Sequence, residues 1–144
     1  MASAKTMRTI TLIVLHCDGI MPHEHNTIKK INEYHKSKGW KGAGYHFFVQ
    51  RDGTVEEGRK LWEVGAHCVN HNKYSIGICY EGGLDSAGDY ADTRTPEQKR
   101  VLRELVERMH HLFPRAVIVG HRDLNPGKKC PCYNAAEEYK DLQP

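Results

Sequence analysis

Two histidines and a cysteine carry the strongest chemical signal in this chain. LIVLHC delivers His16 and VIVGHRD delivers His121, each where an apolar run ends. Side chains at the ends of core strands are held rigidly yet reach the surface, which is where α/β domains build their sites. Beyond His121, across a loop containing proline and glycine, comes Lys128-Lys129-Cys130-Pro131. Neutral imidazole and thiolate are favoured zinc ligands, and three protein ligands leave a fourth position for water. The residues alone leave three readings open. Histidines at strand ends are commonly structural, the nearby cysteine brings in a metal site, and a Cys–His pair with Cys17 or Cys130 as nucleophile would make a thiol hydrolase.

Any of these chemistries needs a sheet to deliver the residues. Residues 9–16 (TITLIVLH) are apolar on both alternate faces, as in a strand covered on both sides. Residues 116–120 (AVIVG) repeat the pattern and run into His121, and residues 75–80 (SIGICY) form a third short strand closed by Gly82-Gly83. Residues 45–50 and 54–57 flank Asp52-Gly53 and read as a hairpin, the Asp-Gly pair supplying both positive-φ positions of a type I′ turn. Residues 26–38 space Ile28, Ile31 and Tyr34/His35 as an amphipathic helix that stops at Gly39.

Thr95-Pro96-Glu97-Gln98 is a capping box with proline at the first helical position. It opens a helix whose stripe runs from Val101 through Leu105 and Met109 to Leu112 and Phe113, ended by Pro114. Residues 84–93 read as a loop, and Asn134 caps a short closing helix. This order implies an α/β fold: a single domain over residues 1–144 with a central mixed β-sheet flanked by helices.

With 39% apolar and 27% charged residues, 144 residues can bury a core without disulfides. The net charge of +3 is spread along the chain, so nucleic acid is not an expected partner. No apolar run approaches the roughly 20 residues that span a bilayer, so no membrane insertion is expected. The first residues are small and polar and lack the marks of a signal peptide, so the chain is expected to be made in the cytoplasm without its own export signal. A monomer is expected. The five cysteines form an odd set, which argues for buried thiols over a disulfide framework. Alternation turns Cys17 away from the face that carries His16, and sets His46 opposite Tyr45 as a hydrogen-bonded core histidine.

A series of short motifs runs along the chain in fixed order: VLHC, Gly39-Trp40, Gly44-Tyr45-His46-Phe47 and Arg51-Asp52-Gly53-Thr54-Val55 come first. Gly65-Ala66-His67, Asn72, Ser75-Ile76-Gly77-Ile78, Gly120-His121 and Lys128-Lys129-Cys130-Pro131 follow. In these the chain resembles the type 2 N-acetylmuramoyl-L-alanine amidases, in particular their small phage lysozymes, whose fold is shared with peptidoglycan recognition proteins. The resemblance implies that His16, His121 and Cys130 hold Zn2+, and its Lys-x-Cys-Pro pattern selects Cys130 over Cys132. It implies that Tyr45 and Lys128 assist catalysis, and that His67 and Asn72 line the groove for a peptidoglycan substrate.

Two imidazoles and one thiolate would leave a zinc site net positive, enough to lower the pKa of bound water from 15.7 towards roughly 7. The bond cut would join the lactyl group of N-acetylmuramic acid to L-alanine, in the manner of a phage or prophage endolysin acting on the cell wall. The segment from His121 to Cys130 is one residue longer than in the phage enzymes, which brings Lys129 into competition with Lys128 for the oxyanion. Relatives on this fold that bind peptidoglycan without cutting it typically lack the ligand cysteine; a binding module is the alternative function.

Overall fold

The strand that ends in His16 sits inside a five-stranded sheet. In the computed structural model, which describes residues 7–144, β1 (Leu12–Cys17) pairs in parallel with β4 (Ser75–Tyr80) on one side and β5 (Val117–Gly120) on the other. Residues 1–6, which supply the reading of the N-terminus given above, lie outside the described residues. Strand β2 (Phe47–Val49) runs parallel to β4, and β3 (Val55–Glu57) closes the edge antiparallel, giving the order β3-β2-β4-β1-β5. The sheet is mixed, as expected for this fold class. Among the described residues no helix is long and apolar enough to cross a membrane.

Alternation along β1 divides its side chains between two layers. Ile13, Leu15 and Cys17 face the main core, where Ile76, Ile78 and Ile118 meet Val101, Leu102, Leu105, Val106 and Met109 of α2 (Pro96–Leu112). Each such buried side chain contributes about 1.5–3 kcal/mol. A smaller cluster on the other face joins Phe48 and Cys79 to Ile31 of α1 (Ile28–Ser37). His16 therefore emerges on the face away from α2.

The helix starts follow local chemistry. Thr27 accepts from the Lys30 N–H at the head of α1, and Thr95 and Gln98 complete the capping box of α2. Gly39 takes φ +80° just beyond α1, a conformation that costs a side-chain-bearing residue strain. Asn134 accepts from the Glu137 N–H and caps α4 (Ala135–Glu138).

Four expectations are corrected. Only Gly53 of the Asp52-Gly53 pair has positive φ (90°), and its N–H donates to the Gln50 carbonyl at 2.9 Å. The connection is thus a three-residue loop with glycine in the left-handed region, not a two-residue type I′ turn. Strand β5 is an edge strand, and Val117 is 43% exposed. Leu112 is 50% exposed and falls off the stripe of α2 as the helix ends. His121 does not close the strand: it opens a four-residue helix, α3 (His121–Leu124).

One buried carboxylate had no signal in the sequence. Glu81 is fully buried and accepts the backbone N–H groups of Asn26 and Arg51 and a bond to His25 Nδ1. It ties the loop after β1 to the hairpin, which satisfies its own charge and fixes both segments.

Candidate metal centre and its groove

His16 and His121 become neighbours through strand register. Leu15 pairs with Gly120, so the next residue on each strand projects from the same end of the sheet. Asp123 Oδ2 accepts the Gly120 N–H at 2.8 Å and fixes the turn that carries His121 into α3. The two imidazole rings lie 4.7 Å apart.

Cys130 arrives from the loop after α3 and is tied down twice. Its sulfur accepts the Cys17 N–H at 3.1 Å, and its carbonyl accepts the Arg122 N–H at 2.8 Å. One ligand atom from each of His16, His121 and Cys130 lies within 4.8 Å of the others. His16 Nδ1 stands 3.8 Å from Cys130 Sγ. A tetrahedral zinc ion would need an N···S edge of about 3.6 Å from ordinary bond lengths. The donor set therefore fits a metal ion in both chemistry and spacing.

The histidines are held neutral, the form a metal ligand requires. Burial drives His16 far below the ordinary imidazole value, helped by the neighbouring His67 and His121. Burial also lowers His121, and the Lys128 cation adds to it. Tyr45, half-buried with its ring 5.3 Å from that of His16, is kept in the phenol form by burial first, then by the nearby Cys79, Cys130 and Asp18.

Cys132 stands apart from this group. Its backbone is left-handed (φ 71°), and its sulfur lies 3.9 Å from Cys17 Sγ and bonds towards the Gly83 carbonyl.

A groove of about 820 Å³ opens beside the histidines, walled by Trp40, Tyr45, His67, Val69, Asn72 and Lys128 among others. It merges with a second depression of about 480 Å³ that reaches His16 and Cys130, the two sharing Tyr45, His67, His121 and Lys128. Lys128 borders both, whereas Lys129 borders only the second.

His67 and Asn72 form wall, but both His67 ring nitrogens and Asn72 Oδ1 are engaged inside the protein. Asn72 Oδ1 accepts the N–H groups of His67 and Cys68, both at 2.9 Å. His67 is 9% exposed, with Nδ1 2.8 Å from His16 Nε2 and Nε2 3.1 Å from Ser75 Oγ. His46 is a buried core histidine: its Nδ1 accepts the Gly77 N–H and its Nε2 meets the Glu63 carbonyl.

Two groove features had no assigned part in the sequence reading. Asp18, pushed up to about 6 by burial, borders the second depression, and Val69, 80% exposed, lines the groove. Neither lies in a recognisable motif.

Fold and site together define a class: α/β domains whose parallel strands present a two-histidine, one-cysteine group at the floor of an open groove. Comparison with known proteins narrows it. A family model described as N-acetylmuramoyl-L-alanine amidase matches residues 6–133. The endolysin of Enterobacteria phage T3 is 37% identical over 130 residues, covering 90% of this chain and 85% of that protein. Among solved structures, the N-acetylmuramoyl-L-alanine amidase LysC from Clostridium intestinale superposes with a TM-score of 0.76 at 29% identity, covering 94% of this chain and 83% of that one. Drosophila PGRP-LB shares the fold, with a TM-score of 0.75 at 20% identity over 94% of this chain and 82% of that one. The chain belongs to the N-acetylmuramoyl-L-alanine amidase family, whose members hydrolyse the sugar–peptide amide of peptidoglycan.

Proposed function

We propose that the amidase is zinc-dependent, with His16, His121 and Cys130 as ligands and Tyr45 and Lys128 as catalytic residues, and that it serves as a phage-type endolysin. The observation that carries this reading is the three donor atoms within 4.8 Å of one another at the floor of a groove bordered by Tyr45 and Lys128. A zinc ion held there would supply Lewis acidity, activating water and polarising the scissile carbonyl.

The remaining work falls to the chain's own residues. Tyr45, kept as a phenol, donates a hydrogen bond to the oxygen on which charge develops as the amide carbon becomes tetrahedral. Lys128, at the junction of the two depressions, adds a positive charge there. Its position on both sides favours it over Lys129. Trp40, Val69 and Asn72, which wall the groove, bind and orient the stem peptide and its sugar. Hydrolysis leaves a carboxylate on the lactyl group and a free amine on L-alanine.

Mass spectrometry of digested peptidoglycan tests the reaction. Stem peptides with new L-alanine amines are expected, and new reducing sugar ends would sink the assignment. Activity should vanish with a chelator and return with added zinc.

A further inference from the structure

Beside the three proposed ligands stands His67, a buried histidine with both ring nitrogens engaged. The pair His16 and His67, 51 residues apart, meets edge to face with Nε2 and Nδ1 2.8 Å apart. The second nitrogen of each ring is also committed: His16 Nδ1 faces Cys130 Sγ, and His67 Nε2 faces Ser75 Oγ, itself fully buried. The surroundings are built to hold this ring. Asn72 Oδ1 takes the His67 N–H, and Ala66 is bonded to the Gly44 carbonyl. Gly77 leaves space that a Cβ would fill at 2.6 Å from the His67 ring.

A neutral imidazole carries one proton, so each ring is a donor at one nitrogen and an acceptor at the other. For His16 to offer a lone pair at Nδ1, its proton must sit on Nε2. His67 Nδ1 must then accept, and the His67 proton lies on Nε2 towards Ser75 Oγ. The opposite order would point a proton from His16 Nδ1 at the metal position. We infer that His67 is a positioning residue, which fixes the tautomer and ring orientation of His16 through an acceptor at Nδ1 and is itself anchored by Ser75. This rests on the zinc reading and reassigns the ring from substrate contact to ligand support. Partners of this kind orient metal ligands throughout metalloproteins.

The test compares His67→Phe, which keeps ring bulk but has no acceptor, with His67→Asn, which returns an oxygen close to the Nδ1 position. Zinc affinity is read by competition with a chromogenic chelator, and folding by thermal unfolding of the metal-free proteins. His67→Phe is expected to bind zinc about 10–100-fold more weakly, with partial recovery in His67→Asn. Nitrogen-15 NMR of the zinc-loaded wild type is expected to place the His67 proton on Nε2 and zinc on His16 Nδ1. Wild-type zinc affinity in a folded His67→Phe protein would overturn the inference while leaving the zinc reading intact. So would a proton on His67 Nδ1, which also decides the matter if the variants do not fold. A wild-type protein that takes up no zinc would remove the metal reading and this inference with it.

Discussion

The backbone N–H of Cys17 donates to the sulfur of Cys130 across 3.1 Å, joining the end of β1 to the loop that follows α3. Strand β1 therefore contributes twice to the same site, once through the His16 side chain and once by holding the proposed ligand Cys130 from a distant segment. Cys132 lacks this tether and packs against Cys17 and Gly83 instead. Cys130→Ser should lose zinc on dialysis, whereas Cys132→Ser should retain it in wild-type stoichiometry, as read by elemental analysis. The reverse pattern would move the ligand to Cys132. Alkylation of the zinc-loaded protein should be slow at Cys130, which a thiol-hydrolase mechanism would not allow.

Tyr45 and Lys128 are expected to act on the reaction and not on the metal. Removing one donor to a developing oxyanion costs about 10²–10³ in kcat. Tyr45→Phe and Lys128→Ala should show losses of that order in kcat with little change in KM and full zinc content. Lys129→Ala should stay within a few fold of wild type, because Lys129 borders only the metal side of the depression. If the Lys129 variant carries the larger loss, Lys129 and not Lys128 is the cation that meets the oxyanion.

Much of this site was legible because it depends on local patterns. LIVLHC and VIVGHRD carry their histidines at or just beyond the end of a strand, and register then makes His16 and His121 neighbours. Thr95-Pro96-Glu97-Gln98 specifies its helix start by short-range hydrogen bonds. Other features depend on pairings that no local pattern contains. The His16–His67 contact spans 51 residues, and the Glu81 carboxylate gathers donors from two separate loops. Helix α3 is too short for a 3.6-residue period to appear. Asp-Gly fits more than one turn type, and the length of the loop, not the dipeptide, decided the geometry at Gly53.

Buried histidines give the metal-free protein a defined acid sensitivity. His46 is lowered to about 4, by burial first and then by charges that include Arg8 and Arg59, and burial lowers His67 to about 3. Between pH 6.5 and about 4 the unfolded chain binds these protons and the folded protein does not, so stability falls as pH falls. Asp18 opposes this: raised to about 6, it takes a proton in the folded state first and favours folding as pH drops. One carboxyl works against at least two imidazoles, so the net slope follows the histidines. The urea midpoint of chelator-treated protein should decline steadily from pH 6.5 to pH 4.5. A flat or rising profile would mean that these rings do not stay neutral.

Gly120, next to His121, packs against Pro131, next to Cys130, and its lack of a side chain is what allows the contact. A Cβ on Gly120 would sit 2.6 Å from Pro131 Cδ and 3.2 Å from Pro131 Cγ. The backbone there is extended (φ −93°), so alanine would bring no dihedral strain and the effect would be steric alone. Proline is a rigid ring that cannot bend aside, so the loop must move, and Cys130 moves with it. Overpacking of this kind costs about 1–3 kcal/mol. Gly120→Ala should therefore lower the unfolding free energy modestly and weaken zinc binding more than that loss explains, since Cys130 is displaced from His16. Equilibrium unfolding of the metal-free protein and a zinc competition titration separate the two effects. Unchanged zinc affinity with lowered stability would show that the loop yields elsewhere and that Pro131 does not set the position of the ligand sulfur.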